Sequence, residues 1–187
     1  MRKLIAQQWV TADSIAAEED GGLGFVSDAS FSTAGDTAFQ DRVMGFVDAV
    51  DTLILGARTH AQSTGWATAE DQGEYGKKLN NLAKVVASTR LEKAPWGDFP
   101  AAAVTRDAAA TVRELKQQDG KDLWLWGSLT LMRSLMGAGL VDEVTLLVCP
   151  VTRGTGRRVL EDRHNLRLIE ATPFACGVVV LRYAITP

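Results

Sequence analysis

The sequence predicts an α/β fold: a three-layer α/β/α arrangement with a central mixed, mostly parallel sheet and an antiparallel C-terminal edge. Short apolar runs of strand length alternate with stretches of helical periodicity from residue 36 to residue 149, a pattern typical of βαβ units around a parallel sheet. Two further strand-like runs, 166–171 and 178–185, follow with no helix between them. Their adjacency predicts an antiparallel pair at one edge of the sheet.

The length and charge of the chain restrict the class of protein. The 187 residues are enough for a sizeable core, and residues 1–187 are expected to form a single domain. The chain carries 20 Lys and Arg against 23 Asp and Glu, a net charge of −3, so neither a nucleic-acid nor a membrane partner is indicated. No stretch fits a signal peptide or a bilayer span, and a cytoplasmic protein is expected.

The cysteines and histidines do not suggest a metal site. Cys149 and Cys176 lie in apolar, strand-like runs, without CxxC spacing and without a nearby histidine. Both are expected to be buried and reduced, and no metal is predicted. His60 follows a glycine turn, whereas His164 lies among charged residues, where a solvated side chain is expected.

The N-terminal half alternates strand and helix patterns. Asp36 is a suitable N-cap for the first helix, whose apolar residues share one face. Residues 25–35 have no clear period and are expected to be irregular. The elements expected in order are a strand at 3–10 with a kinked extension at 14–17, a helix at 36–50, a strand at 52–55, a short helix from 58, a weak helix at 70–82 and a strand at 84–87.

The C-terminal half continues the alternation. Residues 95–100 contain two prolines and a glycine and are predicted to form a loop. Ser128 is a good N-cap for the helix that follows it, and Gly137 and Gly139 are expected to end that helix. The remaining elements are strands at 101–104, 123–126 and 143–149 and helices at 107–118 and 129–136.

Three of the predicted strands are followed by small, hydroxyl or arginine residues. Ligands of open α/β sheets bind at the carboxyl ends of the strands, and arginine and hydroxyl groups suit phosphate oxygens. These turns therefore predict a phosphate-bearing ligand, although each alone could be a plain strand-to-helix connection. The segments are Gly56-Ala57-Arg58-Thr59, Ser88-Thr89-Arg90 and Gly127-Ser128-Leu129-Thr130.

Other catalytic signatures are absent from the sequence. Gly154-Thr155-Gly156 lacks the third glycine of the GxGxxG fingerprint, and there is no GxxxxGK[ST] loop and no GxSxG elbow. Asp13, Asp36 and Asp41 could each supply a proton or bind a substrate, and each could equally be a helix cap or a surface charge. An ordinary Rossmann enzyme, a P-loop ATPase and a serine hydrolase are thus disfavoured.

Several of these segments resemble a known family. LILGARTHAQ, residues 53–62, resembles the xIMGRxTxE stretch of dihydrofolate reductases, and KVVASTR, residues 84–90, resembles their strand that ends in a cofactor turn. Residues 123–162 are still more similar to the reductase domain of the bifunctional riboflavin-biosynthesis enzyme, the RibD C-terminal type. In that family a Gly-Ser or Gly-Gly turn is followed by a helix, then G-L-V-D-E, a strand and P-V-x-x-G-x-G, and the match runs in order along nearly the whole chain.

The resemblance implies a dihydrofolate reductase-like fold, NADPH as the hydride donor and often a homodimer. It implies a reductase acting on a small heterocyclic compound, similar to 5-amino-6-(5-phosphoribosylamino)uracil reductase of riboflavin biosynthesis. A dihydrofolate or pterin reductase, and a dimeric nucleotide-binding protein of this fold without turnover, are the alternatives. Trp9, Trp124 and Trp126 could supply a dimer surface or simply be internal.

The resemblance also implies roles for individual residues. Gly56, Arg58 and Thr59 would hold the cofactor pyrophosphate, and Ser88, Thr89 and Arg90 would meet the 2′-phosphate. Gly127, Ser128, Leu129 and Thr130 would lie against the pyrophosphate and nicotinamide half. Asp13 stands in Thr11-Ala12-Asp13-Ser14, where the family has Ser-Leu-Asp-Gly, and Asp41 lies near the folate-binding position. Asp13 and Asp41 are the candidate catalytic residues, with a hydroxyl group or water as other proton sources.

Overall fold

The computed structural model describes residues 1–28, 30–69 and 73–186. The strands are β1 (Leu4–Thr11), β2 (Ile15–Ala17), β3 (Val50–Gly56), β4 (Ala83–Ala87), β5 (Ala94–Trp96), β6 (Phe99–Thr105), β7 (Asp122–Trp126), β8 (Glu143–Cys149), β9 (Arg157–Arg158), β10 (Asn165–Pro173) and β11 (Val179–Thr186). The α-helices are α1 (Thr37–Asp48), α2 (Ala57–Ala67), α3 (Gly73–Asn81), α4 (Ala108–Gln117) and α5 (Leu129–Gly137), and a 3-10 turn spans Gly24–Ser27. The α/β class is confirmed.

The chain divides into two compact units. Unit 1 contains Met1–Ala6 and Met44–Val141, and unit 2 contains Gln7–Val43 and Asp142–Pro187. The expectation of a single domain over the whole chain stays a prediction. No helix in the described ranges is both long and apolar enough to cross a membrane.

Unit 1 has a parallel sheet at its centre. Strand β3 pairs in parallel with both β4 and β7, and β4 pairs in parallel with β6. Helices α2, α4 and α5 follow β3, β6 and β7 directly along the chain, which is the βαβ order that the periodicity predicted. The core of this unit includes Leu53, Leu55, Leu79, Val86, Trp96 and Trp124.

The hairpin of β5 and β6 corrects the predicted loop at residues 95–100. Ala94 pairs with Ala102 and Trp96 with Phe99 in antiparallel fashion. Ala94 and Trp96 are buried while Pro95 between them is exposed, because alternate residues of a strand face opposite sides. A proline is tolerated here because β5 is an edge strand.

Unit 2 carries the antiparallel C-terminal strands. Strand β11 pairs antiparallel with both β10 and β8, so the predicted C-terminal pair is confirmed. Residues 14–17 do not extend β1. Ser14 has a φ of 68°, which turns the chain, and β2 pairs with β9 instead.

The cysteines and tryptophans differ in part from expectation. Cys149 is a buried free cysteine, and burial raises the pKa of its thiol to about 12. Cys176 is also free but only partly buried, and it lies in the turn between β10 and β11 rather than in a strand. Trp124 is buried, while Trp9 and Trp126 pack against the core clusters of their units. These tryptophans are therefore largely internal and give little support to a dimer surface.

Lys84 is a buried lysine of unit 1 that has no acidic partner among the described residues. Its ammonium group donates to the carbonyl oxygens of Asn80 at 2.7 Å and Leu82 at 2.8 Å, and lies 5.2 Å from the centre of the Trp96 ring. Burial lowers the pKa of Lys84 from 10.5 to about 8. The folded protein thus releases this proton at a lower pH than the unfolded chain does.

The stability contributed by position 84 is expected to rise between about pH 8 and pH 10.5. In that window the unfolded chain binds the Lys84 proton and the folded protein does not, so the free energy of unfolding increases with pH. Relative to Lys84→Met, the wild type should gain up to about 3 kcal/mol, less where solvent screens the ammonium group. Urea unfolding of both proteins across this pH range measures the difference between their free energies of unfolding. Identical pH profiles for the two proteins would contradict a lowered pKa of Lys84.

Candidate functional site

The three predicted ligand turns of unit 1 meet at one edge of its sheet. Gly56, the last residue of β3, pairs with Ala87, the last residue of β4, and Ile54 pairs with Leu125 of β7. Because the three strands are parallel, their carboxyl ends lie side by side. The expectation that these strand ends lie together is confirmed, while the ligand roles of the residues stay predictions.

Two of the turns are packed directly against each other. A Cβ atom added to Gly56 would lie 2.2 Å from the Ser128 Oγ and 2.9 Å from the Ser128 Cβ. Gly127 has a φ of 61°, and a Cβ there would lie 3.0 Å from the Thr59 Cγ2. The β3–α2 turn and the β7–α5 turn are therefore in close contact. Only glycine fits at residue 56, because any side chain there would overlap Ser128.

Ser128 does not cap its helix as predicted. Its backbone is left-handed, with φ 58° and ψ 71°, and its side chain makes no capping hydrogen bond. The hydroxyl lies instead beside Gly56. A left-handed conformation is costly for a residue other than glycine, and such strain occurs often at functional sites.

The helices α2 and α5 both begin at this edge without a side-chain cap. In contrast, Asp107 caps α4 by accepting the Ala110 N–H at 2.9 Å, and Asp36 caps α1 by accepting the Phe39 N–H at 3.0 Å, as predicted. Uncapped N-terminal N–H groups and the positive end of the helix dipole attract anions. The edge is therefore suited to phosphate groups.

The turn after β4 is ordered by Ser88 and by a residue that the sequence analysis missed. The Ser88 Oγ accepts the N–H groups of Arg90 at 3.1 Å and Leu91 at 3.0 Å, which leaves its own O–H to donate. Arg106 follows β6 and donates from Nη1 to the Ser88 carbonyl oxygen at 2.6 Å. The sequence did offer a signal for Arg106, because it is an arginine directly after a fourth strand. The strand had been expected to end at residue 104, two residues before Arg106, so this arginine was not counted among the strand-end residues.

The edge concentrates positive charge. Arg58 and Arg90 are both exposed, and neither forms an ion pair with any residue that the structure describes. With Arg106 they place three guanidinium groups on turns that follow neighbouring strand ends. Thr130 is exposed, whereas Leu129 is buried, so Leu129 can offer a ligand only its backbone.

The predicted acid Asp13 belongs to unit 2 and binds a glycine loop. Its carboxylate accepts the N–H groups of Arg153 at 3.2 Å and Gly154 at 2.7 Å, and also the Thr11 hydroxyl. The hydrogen bonds from Thr11 and then Gly154 lower the pKa of Asp13. A carboxylate that stays ionised at neutral pH is a poor proton donor, so its geometry favours a structural role over the predicted catalytic one.

Removing the Asp13 carboxylate is expected to loosen the loop and destabilise the protein. Because its folded pKa is lowered, this stabilisation is present above the unfolded value of 3.8 and is lost as the pH falls through the folded value. Asp13→Ala should therefore lower the urea midpoint at pH 7 but much less at acid pH. Asp41→Ala is the matched control, because Asp41 is exposed on α1 and its carboxylate has no hydrogen bond within the described ranges. Equal midpoints for the two variants at pH 7 would contradict the structural role.

The same loop borders an open cavity in unit 2. Arg153 forms ion pairs with Glu18 at 3.0 Å and Asp28 at 2.8 Å. Hydrogen bonds from Ser30, with the Arg153 guanidinium, lower the pKa of Asp28 to about 2. The cavity, of about 410 Å³, is lined by Ala12, Asp28, Ser30, Pro150, Val151, Thr152 and Arg153.

The fold is of the class found in dihydrofolate reductases. Dihydrofolate reductase from Enterococcus faecalis, solved with NADP(H) and RAB-propyl, matches with a TM-score of 0.62 at 12% identity, over 99% of this chain and 97% of that chain. Within this class, the chain belongs to the family of the RibD C-terminal domain, whose model matches residues 2–180.

Two further proteins are similar to this chain over nearly its whole length. The uncharacterized protein YyaP of Bacillus subtilis (strain 168) is 27% identical over 192 residues, covering 97% of this chain and 94% of YyaP. A candidate riboflavin biosynthesis protein from Shewanella sp. PV-4 matches with a TM-score of 0.76 at 16% identity, over 99% of both chains.

A bifunctional protein shares the same fold over part of its length. It is a diaminohydroxyphosphoribosylaminopyrimidine deaminase/5-amino-6-(5-phosphoribosylamino)uracil reductase from Thermotoga maritima. It matches with a TM-score of 0.68 at 13% identity, over 99% of this chain. This chain spans 57% of that protein.

Proposed function

We propose that this protein is an NADPH-dependent reductase that transfers hydride to a small heterocyclic compound. The observation that carries the proposal is the sheet edge of unit 1, where two uncapped helices begin beside close-packed glycine turns. Membership of the RibD C-terminal domain family and the uracil reductase activity named for the Thermotoga maritima protein support it.

The residues at this edge fit the two phosphate-bearing parts of NADPH. The pyrophosphate would lie on the N-terminus of α2, between Gly56 and Thr59, and against Gly127 and Ser128, whose packing brings the backbone close. The 2′-phosphate would meet the hydroxyl groups of Ser88 and Thr89 and the guanidinium of Arg90. Arg58 and Arg106 would add positive charge near it.

In this reaction the nicotinamide supplies the hydride, and the protein binds, orients and desolvates the reacting pair. Gly127 and Ser128, in the turn between β7 and α5, would help to fix the position of the cofactor. Asp13 is held ionised by its hydrogen bonds, so the accompanying proton would come from a hydroxyl group or water.

The proposal is tested by following NADPH oxidation over a panel of pyrimidine, pterin and aldehyde substrates. We expect turnover with a heterocyclic member of the panel. Saturable NADPH binding without oxidation by any of these compounds would favour a nucleotide-binding protein without turnover.

We also propose that the protein is a homodimer. Strand β10 is an edge strand and exposes two apolar side chains, Leu168 at 53% and Ile169 at 40%. Exposed apolar residues on an unpaired strand edge favour contact with another chain. Light scattering should give twice the chain mass of 20.2 kDa, and a mass near that of one chain would contradict the dimer.

A further inference from the structure

The turn that follows β4 is held in place by the connection between β6 and α4. The Ser88 N–H donates to the carbonyl oxygen of Thr105, the last residue of β6, at 3.0 Å. The carbonyl oxygen of Ser88 accepts a hydrogen bond from Arg106 Nη1 at 2.6 Å. Both backbone polar groups of Ser88 are therefore bound at the carboxyl end of the neighbouring parallel strand. We call residues 88–91 the β4 turn.

Ser88 in turn determines the path of the rest of the β4 turn. Its Oγ accepts the N–H groups of Arg90 at 3.1 Å and of Leu91 at 3.0 Å. A serine hydroxyl that binds the N–H groups two and three residues later fixes a local turn of the backbone. The direction in which the backbone presents the Arg90 side chain therefore depends on the position of Ser88.

The backbone of Arg106 is itself fixed by the start of α4. The Asp107 N–H donates to Thr105 Oγ1 at 3.1 Å, and Asp107 Oδ1 caps the helix by accepting the Ala110 N–H at 2.9 Å. The Thr111 hydroxyl donates to the Asp107 carbonyl oxygen, also at 2.9 Å. Arg106 thus projects from an ordered backbone, although its side chain is exposed.

The Arg106 guanidinium is directed at the backbone of the β4 turn rather than at a carboxylate. Among the described residues it forms no ion pair, and its hydrogen bond is the one to the Ser88 carbonyl oxygen. Water can also bind this exposed oxygen, so the protein is expected to fold without Arg106. Water would not, however, tie the β4 turn to the neighbouring strand end.

We propose that Arg106 is a positioning residue that determines the preference for NADPH over NADH. The inference rests on the proposed reductase function, in which the β4 turn meets the 2′-phosphate. Arg106 acts mainly by holding the Ser88 carbonyl, which orients Thr89 and Arg90 toward that phosphate, and its own charge contributes less. Without this hydrogen bond the turn samples other orientations, and ordering it when the phosphate binds reduces the affinity.

The test is calorimetric titration with adenosine 2′,5′-bisphosphate, which carries the 2′-phosphate, and with adenosine 5′-monophosphate, which lacks it. Arg106→Met should weaken binding of the bisphosphate roughly five- to tenfold and leave binding of the monophosphate unchanged. Arg106→Lys should restore most of the loss, because its ammonium group can donate to the same carbonyl oxygen. Arg113→Met is the matched control, since Arg113 is exposed on α4, and it should bind both nucleotides as the wild type does.

A double-mutant cycle separates positioning from a direct contact with the phosphate. If Arg106 acts through the β4 turn, its removal matters little once Arg90 has been replaced. Arg90→Ala combined with Arg106→Met should therefore bind the bisphosphate within about twofold of Arg90→Ala alone. Losses that multiply across the two substitutions would show an independent phosphate contact and overturn the positioning role.

Amide hydrogen exchange of the free protein tests the inference without any nucleotide. Loss of the Arg106 hydrogen bond should speed exchange of the Leu91 N–H, which donates to the Ser88 Oγ, and Arg106→Lys should slow it again. An unchanged exchange rate in Arg106→Met would overturn the inference. If the rate rises but the wild type binds the two nucleotides equally, Arg106 orders the turn, while its cofactor role and the proposed NADPH site both fail.

Discussion

Gly56→Ala is expected to abolish tight NADPH binding while the protein stays folded. The φ of Gly56 is −83°, which any residue adopts, so the backbone is not strained by the change. The added Cβ would collide with Ser128, at 2.2 Å from its Oγ. Rotation of the Ser128 side chain can move its Oγ away but not its Cβ, at 2.9 Å. The two turns proposed to hold the pyrophosphate must therefore move apart, and their backbone N–H groups would no longer reach it together.

The double variant Gly56→Ala with Ser128→Gly is the matched control. It removes both atoms that meet the new Cβ, and it places glycine where the backbone is left-handed. NADPH binding should therefore return toward the level of Ser128→Gly alone. Titration of NADPH into the four proteins measures the effect. If Gly56→Ala binds NADPH normally, or if Ser128→Gly rescues nothing, the two turns do not form the pyrophosphate site.

Arg90→Ala is expected to raise KM for NADPH ten- to a hundredfold and to leave kcat nearly unchanged. NADPH differs from NADH by one phosphate, and a charge-assisted contact with arginine accounts for a change of this size. The contact lies far from the reacting carbon, so it stabilises ground state and transition state alike. KM for NADH should therefore hardly change.

Arg113→Ala provides a comparison for this substitution. Arg113 is exposed on α4, so its removal alters the net charge equally without touching the turns. Steady-state kinetics with both cofactors should show altered NADPH preference for Arg90→Ala only. If Arg90→Ala and Arg58→Ala both leave the preference for NADPH over NADH unchanged, the cofactor does not bind at these strand ends.

The sequence was sufficient where local signals decide the structure. Asp36 is a helix cap because its side chain reaches an N–H three residues away, and the glycine and hydroxyl turns follow strands whose apolar runs are clear. Parallel pairing then brings those turns together, since the strand ends share an edge. The fold class and the meeting of these turns at one sheet edge could therefore be predicted.

Contacts between distant residues could not be predicted in this way. Asp13 accepts a hydrogen bond from the N–H of Gly154, which lies 141 residues further along the chain. The local sequence therefore showed an acidic residue at position 13 but not the loop that keeps it ionised. Serine is a common N-cap residue, which is why the sequence predicted a cap at Ser128. Its close packing against Gly56, a residue 72 positions away, is not visible in the local sequence. Pro95 indicated a loop because a single sequence does not show that its strand lies at an edge.

The most direct test of the account is the affinity of the wild-type protein for NADPH and NADH, measured by calorimetric titration at fixed ionic strength. The arginine-rich edge predicts that NADPH binds at least about tenfold more tightly and that this advantage shrinks as salt is raised, because salt screens exposed charges. Equal affinity for the two cofactors, or no binding of either, would contradict the proposal that this edge is an NADPH site.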